Sequence, residues 1–161
     1  MKLKDILLSW DLLCALIIAG FIGIISPFWL PNEFVKDLYS IGISVLSIIF
    51  SVFFAALAII MSSSDDEFVV FLEEEGDYTK IITSFEVSLG IIFVALIYSI
   101  IIYGISSYWF VNKHINQQYY WLSIFCFLFL YGLFAVANSA IDAMLFSKYR
   151  TNYLKIRDLH S

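Results

Sequence analysis

The sequence predicts an all-α polytopic membrane protein with four transmembrane helices, cytoplasmic N- and C-termini, and self-association as a symmetric homo-oligomer. Three observations lead there. Four apolar runs, about 6–25, 38–61, 81–105 and 119–146, are separated by short polar breaks. Each is near or above the ~20 residues a helix needs to cross a ~30 Å hydrocarbon core. The 161 residues are 61% hydrophobic and 14% charged, outside the range of ordinary soluble domains. The basic residues are also unevenly placed. Four spans put Lys2, Lys4, Lys80, Lys148, Arg150, Lys155 and Arg157 on the side of the termini, and only Lys36 and Lys113 on the other. Basic residues gather on the cytoplasmic side, so both termini are expected in the cytoplasm, with one transmembrane domain over 1–161.

The first run opens like a signal peptide, with Met1-Lys2-Leu3-Lys4 before apolar residues. Asp11 interrupts it early, no small-x-small cleavage site follows, and Leu13 precedes Cys14 where a lipoprotein signal would have a small residue. The run is therefore read as a retained first span. Cys14 and Cys126 both lie inside apolar runs and read as reduced, packed thiols.

The second run carries the clearest pattern. Ser40, Ser44, Ser47, Ser51, Ala55, Ala58 and Ser62 recur at spacings of 4, 3, 4, 4, 3 and 4, so seven small residues share one helix face. Such a face suits close helix–helix packing, since small residues let backbones approach. It equally suits a pore lined by hydroxyls from several subunits. The third run repeats the pattern more faintly with Ser84, Ser88, Ala95, Ser99 and Ser106, and the fourth with Gly132, Ala135 and Ser139.

Ionisable residues inside spans cost about 2.5–3.5 kcal/mol each at the bilayer centre. Asp11, Glu86 and Asp142 are such residues, and Asn138 lies one turn from Asp142. At ~1.5 Å per residue all three acids fall less than ~10 Å inside the cytoplasmic ends. They read either as interfacial, partly hydrated groups or as an acidic mouth or gate that favours cations.

The polar segment 62–77 predicts a short cytoplasmic acidic helix at about 65–75, with Ser64 and Glu67 in capping-box register and Gly76 just past its end. Seven carboxylates, counting Asp77, surround Phe68, Val69, Phe71 and Leu72. Either the apolar side rests on the bundle, or Phe68, Phe71, Leu72, Glu73, Glu74 and Glu75 dock a basic cytosolic partner. The outer loops, 26–31 and 106–110, are short and aromatic, as an interfacial belt requires.

No catalytic chemistry is evident, and no cofactor or metal is expected. The histidines are His114 and His160, and no His-Glu-x-x-His, Cys-x-x-Cys or nucleophile-elbow motif occurs. The basic cytoplasmic tail, 147–161, continues the fourth helix. Lys148 and Lys155 are seven apart, as are Arg150 and Arg157, with Tyr149 and Tyr153 between. That side can hold anionic membrane lipid or an oligonucleotide ligand through phosphate contacts and base stacking.

Four spans, minimal outer loops, a serine-rich second span running into Ser62-Ser63-Ser64-Asp65-Asp66-Glu67 and a basic tail resemble the small membrane effectors of bacterial anti-phage defence. The nearest resemblance is to the channel component of the Hailong system (HalA-type); the membrane component of Kiwa is a weaker one. The resemblance implies a homotetrameric ion channel held closed by a DNA ligand that a partner enzyme makes. Release of that ligand would depolarise the membrane and stop phage growth. Lys148, Arg150, Lys155 and Arg157 are the residues that could hold the ligand here. The expected function is an oligomeric, ligand-gated channel or membrane-permeabilising effector; the alternative is a non-conducting anchor that recruits a cytosolic partner through the acidic loop.

Overall fold

The computed structural model is all-helical and describes residues 10–62, 66–74, 76–111 and 119–160; side chains at 26–29, 32, 66, 109–111, 154 and 156–160 are not described. Among the described residues there are five helices: α1 (Trp10–Trp29), α2 (Asn32–Ser62), α3 (Asp66–Glu73), α4 (Asp77–Val111) and α5 (Tyr119–His160). Three are long and apolar enough to cross a membrane, over Glu33–Ser62, Asp77–Tyr108 and Tyr119–Tyr153, whereas the apolar stretch Trp10–Ile25 of α1 is shorter.

Local chemistry sets the breaks. Pro31 has no amide hydrogen with which to extend α1, and its carbonyl instead accepts from the Val35 amide at 3.2 Å, opening α2. Glu33 lies in the first turn of α2, where a carboxylate is favoured by the helix dipole. Gly76 takes φ 70°, a conformation that costs glycine little, and its amide donates to the Glu73 carbonyl at 2.9 Å to end α3. After Phe146, no Gly or Pro occurs in the described part of α5, so that helix runs on through the basic tail.

The helices are ordered α2, α4, α5, α1 across the bundle. α4 packs on α2 and on α5, α5 carries α1, and α2 and α5 touch only lightly. The contacts repeat every seven residues. On α4 the buried positions are Ile81, Phe85, Ser88, Ile92, Ala95, Ser99, Ile102 and Ser106; on α2 they include Val35, Tyr39, Leu46, Phe53 and Ile60; on α5, Phe125, Ser139 and Phe146. Alternating steps of four and three belong to left-handed, coiled-coil-like packing.

The core forms three clusters along the axis. Tyr39, Ile102, Leu122 and Phe125 fill one end, with the Tyr39 and Phe125 rings edge to face at 4.9 Å. Leu46, Ile92 and Ala95 occupy the middle. Phe53, Phe85, Phe68 and Phe146 fill the other end, with Phe53 stacked on Phe85 at 5.4 Å. Lipid tails are as apolar as these side chains, so close packing rather than expulsion from water holds such helices together.

α1 joins α5 differently. Ala15 and Ala19 are buried, and with Gly23 they place a small residue at every fourth position. The backbones approach closely there. The Ser123 hydroxyl donates to the Ala19 carbonyl at 2.7 Å, and a Cβ on Gly23 would lie 2.9 Å from the Ser123 Oγ.

Candidate functional site

The small-residue face of α2 lies on the outside of the protomer. Ser40, Ser44, Ser51, Ala55, Ala58 and Ser62 are exposed, and Ser47 is half-buried. Five residues turn a helix by about 140° beyond one full turn, so Ser51 points well away from Leu46, which is buried. The hydroxyls turn back on their own helix. Ser44 donates to the Ser40 carbonyl at 3.1 Å, Ser47 to Ile43 at 2.7 Å, Ser51 to Ser47 at 2.9 Å and Ser62 to Ile59 at 3.2 Å. These bonds satisfy the donors without a partner helix.

The small residues of α4 and α5 do the opposite and meet inside the bundle. Ser88 and Ser139 share a hydrogen bond at 2.7 Å, Ser88 also donates to the Ala135 carbonyl at 3.2 Å, and Ser84 and Ser139 oxygens lie 3.4 Å apart. Further along the same seam, Ser99 donates to the Ala95 carbonyl at 2.6 Å.

Of the four residues expected at an acidic mouth, the structure joins two. Asn138 Nδ2 donates to Asp11 Oδ2 at 2.6 Å, linking α1 to α5 beside the serine seam. Asn138 thus turns to Asp11 and not to its own helix neighbour Asp142. A small cavity of about 40 Å³ is lined there by Asp11, Ser84, Ser88, Tyr131 and Asn138 among others. Asp142 lines a separate groove with Asp77, Lys80, Thr83 and Tyr149. Glu86 is exposed; it is two residues from both Ser84 and Ser88, about 160° round the helix from the face they turn to α5. Within one protomer it is not brought to Asp11.

The acidic helix α3 rests its apolar side on the bundle. Phe68 and Leu72 are buried, and the Phe68 ring meets Phe146 at 5.5 Å and Tyr153 at 5.4 Å. Phe71 is exposed but touches Tyr153 at 5.4 Å, and the Tyr153 hydroxyl donates to Glu67 at 3.3 Å. Glu73 caps α4, accepting from the Thr79 hydroxyl at 2.7 Å and the Thr79 amide at 3.0 Å. Those bonds, the hydroxyl first, with Lys80 nearby, hold the Glu73 carboxyl below the ordinary glutamate range. Glu74 stays exposed. Glu75, Ser64 and the side chain of Arg157 lie outside the described residues. Lys148 and Lys155 are exposed and Arg150 is half-buried.

Several structural residues escaped the sequence reading. Gly23 and Ser123 join α1 to α5, and only the four-residue spacing of Ala15, Ala19 and Gly23 signalled it. Gly42 lets the Phe125 ring sit against α2, where a Cβ would come within 2.5 Å of its Cζ; a single glycine in an apolar run carries no such signal. No family model matches the chain, and neither does any curated protein or solved structure.

Proposed function

We propose that copies of this chain associate through the small-residue face of α2 and form a small gated channel, or membrane-permeabilising effector, in a bacterial inner membrane. The observation that carries this reading is the position of the stripe. α4 and α5 spend their small residues on contacts within the protomer, whereas the longest run of small residues, on α2, is left on the surface. A second copy can approach there as closely as α1 approaches α5. In this reading α1 is a fourth span, since its 20 residues extend about 30 Å, and both termini are cytoplasmic. Asp11, Asn138, Glu86 and Asp142 then lie near the inner end, where acids favour cations. The exposed Lys148 and Lys155, with Arg150, would take anionic lipid or the phosphates of an oligonucleotide, a site for a gating ligand in anti-phage defence.

Ion flux through liposomes holding the purified protein tests this. Ser47→Leu and Ser51→Leu should abolish flux; unchanged flux would reduce the stripe to a lipid-facing surface. A second reading, a non-conducting anchor for a cytosolic partner, is favoured by one observation: Val70, Phe71 and Glu74 stay exposed on α3 although Phe68 and Leu72 are buried. Pull-down with Glu74→Lys, run beside the flux assay, separates the two, because a captured partner that the variant loses, from a protein that conducts no ions, would support the anchor.

A further inference from the structure

The cavity of about 40 Å³ beside the serine seam is built by three helices. α1 gives it Asp11, α4 gives Ser84 and Ser88, and α5 gives Tyr131 and Asn138, with apolar residues completing the wall. α1 has no substantial direct contact with α4, so at this level the two helices face each other across the cavity. Its depth follows from α5. Asn138 is 19 residues beyond Tyr119, the first residue of that helix, or about 28 Å along it. That is the inner edge of a ~30 Å hydrocarbon core, where carboxylates pair with other groups. Among the described residues, Asp11 has no basic partner.

The groups around the cavity are acceptors. Asn138 donates to Asp11 Oδ2 at 2.6 Å, and among the described residues Oδ1 of Asp11 and Oδ1 of Asn138 make no hydrogen bond. The serine hydrogens can all be spent within the seam. Ser88 then donates to the Ala135 carbonyl at 3.2 Å, Ser139 to Ser88 at 2.7 Å, and Ser84 to Ser139 across 3.4 Å. That assignment leaves lone pairs on Ser84 and Ser88. A water molecule, with two hydrogens to give, does not satisfy all of these lining oxygens. A hard metal cation accepts oxygen ligands of every one of these kinds. One carboxylate balances one positive charge, and the space leaves no room for an alkylammonium chain.

We infer that this cavity binds a single sodium ion, held by Asp11 on α1 and by the oxygens of Ser84 and Ser88 on α4, with Asn138 orienting the carboxylate. Sodium is the smaller of the common monovalent metal cations, as so small a cavity requires. The ion ties α1 to α4, which direct packing does not. The site lies within one protomer and is independent of conduction and of contacts through α2.

Melting of the purified full chain in detergent tests this, in sodium, potassium and N-methylglucamine chlorides of equal ionic strength. Sodium should raise the melting temperature saturably, by about 5 °C at a hundredfold excess over its dissociation constant. Radioactive sodium should bind at one ion per chain. Asp11→Asn should abolish the shift and the binding, and Ser84→Ala should weaken sodium about tenfold, the worth of one ligand at a polar site. Asp142→Asn, in the separate groove, should change neither. Equal melting in all three salts with no bound sodium would overturn the inference. So would sodium affinity unchanged in Ser84→Ala, which decides the matter even if Asp11→Asn fails to fold. Potassium acting as strongly as sodium would overturn the choice of ion, and loss of binding in Asp142→Asn would overturn the choice of site.

Discussion

Asn138 on α5 donates a 2.6 Å hydrogen bond to the carboxylate of Asp11 on α1, across 127 residues of sequence. α1 has its main contact with α5, so among the described residues this bond and the Ser123–Ala19 bond are the polar ties that hold α1 in place. Interhelical hydrogen bonds in membranes average ~0.6 kcal/mol, but an ionised acceptor strengthens the bond. Asn138→Leu should therefore cost about 1–2 kcal/mol, and a double-mutant cycle with Asp11→Leu should recover most of it. Denaturant titration in detergent micelles measures both; additive losses would show that the two residues do not couple.

Gly42 should tolerate no side chain. A methyl there would meet the Phe125 ring at 2.5 Å, and that ring is already fixed edge-on against Tyr39. Gly42→Ala should destabilise by about 1–3 kcal/mol, the usual cost of overpacking. Phe125→Leu in the same chain should restore part of the loss. Thermal melts of the single and double variants decide it, and a double variant as poor as the sum of the singles would exclude a direct clash.

The Thr79 cap predicts an acid-sensitive start to α4. Glu73 has its folded pKa lowered, so its contribution is fully present above the unfolded value of about 4.3 and is lost as pH falls through the folded one. Amide exchange at Thr79 should accelerate, relative to the intrinsic rate, as pH drops below that unfolded value. Glu73→Gln should flatten that dependence, and an unchanged profile in the variant would assign the effect elsewhere.

The serine seam between α4 and α5 should resist substitution more than the stripe on α2. Ser139 is fully buried and bonded to Ser88, so Ser139→Leu must force α4 and α5 apart, at about 1–3 kcal/mol. Ser44→Leu, on an exposed face, should change the stability of a single protomer by less than about 0.5 kcal/mol. Urea midpoints measured at high dilution compare the two.

Hydropathy made the long helices legible, and turn chemistry placed the end of α3 shortly before Gly76; the helix stops at Glu73, and the φ of 70° at Gly76 is what that residue type permits. The spacing of Ser40 through Ser62 was legible as one face, but not which way the face points. Direction is a tertiary property: the buried seam of α2 runs through Tyr39, Leu46 and Phe53, which look no more apolar in sequence than the exposed Ile41 and Val52. Asp11 and Asn138 were each visible as polar residues in apolar runs. Their pairing was not, because Asp142 lay closer along the chain and the α1–α5 contact depends on small residues whose helical register no local rule sets. The groove at Lys80 and Asp142 was hidden for the same reason.

Whether α2 is a contact surface between copies is read directly by cysteine scanning. With Cys14 and Cys126 replaced by alanine, single cysteines at Ser44, Ser47 and Ser51 are compared in native membranes with cysteines at Ile41 and Val52, each 59% exposed on the protomer. A disulfide needs Cβ atoms about 4 Å apart. Oxidation should therefore yield cross-linked dimers from the three stripe positions and little from Ile41→Cys or Val52→Cys. Cross-linking that favours Ile41 and Val52, or is absent from all five positions, would contradict it.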